Sequence, residues 1–333
     1  MKAAEVEGEI RKLEPEAQQA YLDQIEADVR SLSISQIEQA VADGDDSRVE
    51  ELMALGLMAL LLERLRGAFV SGATQEIKVI RIPGVRREFD VNDPDVNPFL
   101  SGQARALREQ ALRDQAEAIR VTIAAGRARG DSPRTTALNL AGRVSPQTGR
   151  RTGGVSGLTG PAAEAIERAR DQLGSGLPGP MRDYLNRNLR DPAFDGAVRK
   201  AIEEERPVPA KIRRRAAARY SERLLQALAQ ALAETNVAEA YNRGRQEGWR
   251  QLTQRSNGLY SYRKTWRTKR DGKERPNHGA MNGQQVDAGQ PFTSPSGAQL
   301  MYPCDPSLGA PMSERARCRC TSEYTLVRIM RAE

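Results

Sequence analysis

The residues able to do metal or nucleophilic chemistry lie close together in the sequence. The chain of 333 residues holds one histidine, His278, and three cysteines, Cys304, Cys318 and Cys320. All four fall within 43 consecutive residues of the last fifth of the chain. Their order, His278-x25-Cys304-x13-Cys318-x-Cys320, supplies the donors of a Cys3His tetrahedral site. Thiolate ligands favour Zn2+ over Mg2+ or Ca2+. Free structural cysteines beside a polar His278, or a disulfide formed after lysis, are the alternative readings. A catalytic zinc needs an open coordination position that four protein ligands would fill. A thiol nucleophile activated by His278 is chemically conceivable, but no local pattern supports it. Asp271, Arg275 and His278, in RDGKERPNH, read as a hydrogen-bonded turn in preference to a nuclease-like acid–base cluster. The chain has no Walker A loop, and the glycine-rich stretch Gly153–Thr159 lacks the lysine that a P-loop needs.

The elements that must position these residues divide the chain. Hydrophobic content is 39% and aromatic content 5%, which favours Leu/Ala/Val-rich helices over a β-sandwich. Residues 4–43 read as acidic helices. Asp45–Asp46–Ser47 caps a helix over 48–72, and Glu76–Ile82 (EIKVIRI) alternates like a short strand. Residues 89–98 read as loop, and a long helix over 99–128 ends at Gly130. Ser132–Pro133 opens the next helix, residues 145–160 form a Gly/Ser/Thr-rich loop, and Pro161 opens a helix closed by Gly174. Tyr184–Leu189 and Phe194–Glu205 read as short helices, and 208–250 as a long one. Asn257–Gly258 marks a turn, Tyr260–Thr268 a strand, and CTSEYTLVRIM a closing strand.

The expected architecture is mainly α. An elongated multi-helix body carries a small C-terminal α+β module that a zinc ion could staple. The expected segments are an acidic helical region with one strand (1–95), a helical body (96–255) and the module (256–333). The module is short of apolar residues, and metal binding would supply folding energy it otherwise lacks.

The net charge of +7 conceals a polarity: residues 1–50 carry −8 and the remainder +15. Of 51 basic residues 43 are Arg, whose planar fork suits phosphate or carboxylate. Arg150 and Arg151 in the glycine-rich loop, and the run Arg213–Arg214–Arg215, are candidate contacts for nucleic acid or an acidic partner. Solvated helix faces with salt bridges would give the same composition. No signal peptide or membrane span is expected: the longest apolar run, Met53–Leu62, is far below the ~20 residues a span requires. A soluble protein made in a reducing cytoplasm is the expectation.

Several stretches resemble the Mu F-like phage head morphogenesis (minor capsid) family. They are Trp266-Arg-Thr-Lys-Arg-Asp271-Gly-Lys-Glu-Arg275-Pro-Asn-His278-Gly-Ala-Met281-Asn-Gly283-Gln284, then Tyr302-Pro303, and the closing Cys318-Arg319-Cys320. Upstream, Ala233-Glu234-Thr235 and Ala240-Tyr-Asn-Arg-Gly-Arg245 resemble elements of the family's long helix. The resemblance covers roughly residues 100–325. Trp266, Asp271, Arg275, Gly283, Tyr302 and Pro303 are the residues that define the module in this comparison. Some family members carry Cys where this chain has Arg275 and His278. Arg275 cannot ligate a metal, so Cys304, where the family more often has Gly, would supply the fourth ligand. The resemblance implies a virion component and not an enzyme. Such a protein sits inside the head near the portal vertex, and in the host cytoplasm during procapsid assembly. Its partners would be portal, major capsid or scaffold proteins, with the basic excess able to face packaged double-stranded DNA. The alternative is a metal-dependent nuclease or toxin-like effector built on the module. Toxin fusions would need sequence beyond the thirteen residues after Cys320.

Overall fold

The computed structural model describes residues 1–56, 58–145 and 148–329, with the side chain of Phe99 excepted. The protein is mainly helical, with a small C-terminal β module. Among the described residues the helices are α1 (Ala3–Arg30), α2 (Ile34–Asp43), α3 (Asp46–Leu52), α4 (Ala59–Val79), α5 (Val96–Arg129) and α6 (Pro133–Ala141). They continue as α7 (Gly160–Gly174), α8 (Pro178–Leu185), α9 (Asp195–Glu203), α10 (Ala210–Gln254), α11 (Pro276–Met281) and α12 (Met312–Arg315). The strands are β1 (Arg143–Val144), β2 (Arg151–Thr152), β3 (Tyr260–Arg267), β4 (Gln285–Asp287), β5 (Phe292–Thr293), β6 (Gln299–Leu300) and β7 (Thr321–Arg328). No helix among the described residues is long and apolar enough to cross a membrane.

Two compact units divide the chain. One comprises Tyr21–Ala59 and Arg105–Leu228. Here α2 packs on α3 and α6, and α8 on α7 and α9. Ile119, Ile123, Leu140, Ile166 and Leu173 lie in its buried core. Side-chain caps set the helix starts: Ser132 Oγ accepts from Thr135 N at the head of α6, and Thr159 Oγ1 from Ala162 N at α7.

The other unit comprises Met1–Ala20, Leu60–Ala104 and the chain from Ala229 onward. In it α4 crosses α10 at backbone contact. A Cβ at Gly244 would lie 1.9 Å from the Phe69 carbonyl oxygen, and one at Gly72 would lie 2.2 Å from that of Tyr241. Only glycine allows this approach. Within the crossing the Arg245 guanidinium donates to Glu76 at 2.7 Å, and Trp249 Nε1 donates to the same carboxylate at 3.1 Å.

This contact overturns the expected strand over Glu76–Ile82. Residues 76–79 instead complete α4, and no strand forms at 80–82. Alternating residue types suggested a period of two. The governing pattern is Glu76 turned inward to α10, with Ile77 and Ile80 buried at helical spacing. The expected helix over 48–72 is likewise two helices. The chain breaks after α3, where the Gly56 amide donates to Asp28 Oδ2 at 3.0 Å and Met58 takes φ 53°. The helix expected over Tyr184–Leu189 starts earlier, because Pro178 occupies its first turn as α8. β1, just before the glycine-rich loop, pairs with β2 inside it, while Pro146 and Gln147 lie outside the described residues.

The antiparallel sheet has the order β4–β3–β7, and β3 pairs with β7 along its whole length, Tyr260 opposite Arg328 to Arg267 opposite Thr321. β5 and β6 form a separate ladder. The compact units do not follow the three consecutive segments expected from composition. The change of character near residue 255 marks a change of element, not of core. Trp249 of α10 stacks with Tyr262 of β3 and Tyr324 of β7, each at 5.7 Å between ring centroids. The module, short of apolar residues, thus shares a core with the end of α10 and with Ile77, Ile80 and Ile82.

Candidate metal centre

Three of the four soft residues converge. Arg275–Pro276 starts α11, and Pro276 at its first position sets the turn that carries His278. The Thr268 hydroxyl, just past β3, donates to the His278 carbonyl at 2.6 Å. Cys318 and Cys320 precede β7, whose pairing with β3 brings them to the same end of the sheet. The His278 Nδ1 atom lies 3.4 Å from Cys318 Sγ and 3.5 Å from Cys320 Sγ. The three ligand atoms all lie within 4.8 Å of one another, and all three residues are buried. His278, Cys318 and Cys320 could hold a metal ion.

The other imidazole nitrogen is equally constrained. His278 Nε2 is 2.8 Å from Glu314 Oε2. The second carboxylate oxygen accepts from Asn277 Nδ2 at 3.0 Å, Ser294 Oγ at 3.2 Å and Ser296 Oγ at 2.7 Å. Burial pushes the Glu314 carboxyl up, but hydrogen bonds from Ser296, Asn277 and His278 outweigh it and hold it below its usual range. An ionised carboxylate only accepts, so Nε2 carries the proton and donates. In the neutral imidazole this leaves the Nδ1 lone pair facing the two sulfurs. This carboxylate–histidine pairing is the arrangement that orients metal-bound imidazoles.

Both thiols are held above the usual range. For Cys318 the first cause is hydrogen bonding with Cys304, with burial adding to it. For Cys320 it is hydrogen bonding with Cys318, followed by burial. Thiols so raised are poor nucleophiles, and a bound cation is what would turn them into thiolates.

Cys304 is buried, its Sγ 3.6 Å from the Cys318 carbonyl oxygen, but lies outside the three-atom cluster. Several of the residues that define the module in sequence adjoin the centre. The Trp266 ring meets His278 edge-on at 5.4 Å. Gly283, at φ 87°, donates its amide to the Trp266 carbonyl at 2.9 Å. Arg275 donates to the Ala316 carbonyl, so it braces the chain before Cys318 instead of ligating. Arg319, between the two cysteines, holds Asp271 at 3.1 Å. This ion pair holds the Asp271 carboxyl below its usual range. Tyr302 and Pro303 are buried immediately before Cys304.

A cleft of about 790 Å³ adjoins the centre, lined by Glu14, Glu234, Arg275, Arg317, Cys318 and Cys320 among others. The candidate basic contacts belong to the other unit. Arg150 pairs with Glu26 at 3.1 Å, Arg151 donates to the Gly142 carbonyl at 3.3 Å, and Arg215 covers the Phe194 ring at 5.7 Å. Arg214 is exposed and Arg213 half-buried.

Sequence reading missed Glu314, Asn277, Ser294 and Ser296. Asn277 is the neighbour of His278, but a lone acid in a short helix carries no signal until the fold places it. No protein-family model, curated protein or solved structure matches the chain.

Proposed function

We propose that the chain is a structural minor capsid, or head morphogenesis, protein of a tailed phage or prophage. It associates with the portal vertex and the procapsid, and its basic residues meet packaged DNA. Its module is held by one Zn2+ on His278, Cys318 and Cys320. The observation that supports this reading is that the residues of the resemblance, far apart in sequence, meet around one cluster of metal-ligating side chains. Trp266 meets His278, Gly283 bonds to Trp266, and Arg275 and Asp271 hold the chain on either side of Cys318. The donor set suits Zn2+: soft sulfur and imidazole, buried, with the imidazole oriented by a carboxylate. Zinc would supply folding energy to a module of few apolar residues.

The test is the protein content of purified virions. The chain is expected in heads, crosslinked to portal or shell protein, and its absence from virions sinks the reading. Hydrolysis of nucleic acid that is lost in His278→Ala would favour the enzyme alternative instead.

A further inference from the structure

We propose that Cys304 is the fourth ligand, closing the centre as a three-thiolate, one-imidazole site with no exchangeable position. The proposal rests on the reading that the centre holds a metal.

The Cys304 thiol is fully buried beside the cluster and hydrogen-bonds with Cys318, whose carbonyl oxygen lies 3.6 Å from its sulfur, a weak contact. Its backbone sits at φ 71°, a left-handed conformation that disfavours any residue with a Cβ. Glycine would relieve that strain, so the position retains a side chain against the preference of its backbone. The loop is held by other groups. Asp305, fully buried, accepts from Met301 N at 2.7 Å and Ser307 N at 2.8 Å, and the Arg243 guanidinium covers the Tyr302 ring at 5.9 Å. Metal binding would exchange the sulfur's contact with the carbonyl for a bond to the ion.

Three ligands alone would leave a coordination position for water or substrate, as catalytic zinc sites do. Cys318 and Cys320 line the cleft and Cys304 does not. With Cys304 bound, the metal is closed to exchange. In the binding step three Zn–S bonds and one Zn–N bond would form as the hydrated ion sheds its water ligands, three S–H bonds would break, and the three protons would pass to the buffer.

The experiment is a Co2+ titration of the reduced, metal-free full chain, followed by displacement with Zn2+. Thiolate-to-cobalt charge-transfer absorption scales with the number of bound thiolates. One Co2+ per chain is expected, in tetrahedral geometry. Cys304→Gly, which suits φ 71° and keeps the fold by circular dichroism, should lose about a third of that intensity. Its visible bands should then shift on adding azide, whereas those of the unsubstituted chain should not. Equal charge-transfer intensity in Cys304→Gly and the unsubstituted chain overturns the proposal and leaves a three-ligand metal site standing. Absence of both Co2+ and Zn2+ binding to folded, reduced protein overturns the metal reading and this proposal with it. Cys318→Ser serves as the control that removes a ligand of the cluster.

Discussion

Glu314→Gln removes one charge from the centre without changing its shape. In the native arrangement one carboxylate oxygen faces His278 Nε2 at 2.8 Å, while the other receives Asn277, Ser294 and Ser296. Glutamine offers one acceptor and one donor in their place. If its NH2 group faces the serines and Asn277, the two hydroxyls can rotate to accept, and Asn277 must flip its amide. The hydrogen bond to His278 then survives but is no longer charge-assisted. If its NH2 group faces His278, Nε2 must accept, the proton moves to Nδ1, and the lone pair aimed at the sulfurs is lost. Either outcome weakens the imidazole as a ligand. Losing such a partner lowers metal affinity by roughly 10- to 100-fold, or about 1.4–2.7 kcal/mol. Competition with a chromophoric chelator measures the affinity, and nitrogen-15 NMR of His278 reports its tautomer. An affinity within about twofold of the unsubstituted chain, or an apo protein with the proton already on Nδ1, would refute the reasoning.

Three further outcomes are expected. Cys318→Ser, or exhaustive chelation, should lower the thermal midpoint and unprotect amides of α11 and β7 before those of α6 and α7, as read by hydrogen exchange; uniform loss counts against a local staple. Glu239 is buried, and burial, opposed by Arg315 and reinforced by Asp305, pushes its carboxyl up to about 8 from 4.5. A raised folded-state pKa gives stability that is present below about 4.5 and lost as pH rises through about 8. Glu239→Gln should therefore be near neutral at pH 4.5 and stabilise the chain at pH 9 by on the order of 5 kcal/mol; urea curves at the two pH values check the sign. Glu76→Gln breaks a fully buried ion pair and should cost about 3–5 kcal/mol, and a loss below about 1 kcal/mol in the same assay would show the pair to be dispensable.

Local signals in the sequence carried well where the deciding interaction is local. Ser132–Pro133, Gly130, Pro161 and Asn257–Gly258 mark their boundaries by backbone chemistry that needs no partner. The alternation that makes β3 and β7 is equally legible. EIKVIRI failed because Glu76 answers to Arg245 and Trp249, some 170 residues away in sequence, and nothing nearby reveals that. The same distinction holds at the centre. His278, Cys318 and Cys320 stand out by type. Glu314 does not, since its role exists only once α12 is set beside α11. The division into three segments followed composition, whereas the shared core of Trp249, Tyr262 and Tyr324 depends on which aromatic residues meet.

The unit that holds the metal centre is drawn from Met1–Ala20, Leu60–Ala104 and the chain beyond Ala229. On the ribosome its first part emerges long before its last. At roughly 5–20 residues per second, the stretch that ends with Tyr21–Ala59 and Arg105–Leu228 is complete while β3 and β7 are still unmade. The segment Met1–Ala20 must then wait, roughly 15–60 s, for the strands that finish its own unit. His278, Cys318 and Cys320 follow α10 and are translated after the whole of the other unit. Metal capture by these residues would therefore follow completion of the other unit, and without β3 and β7 the segment Met1–Ala20 lacks the core of its own unit.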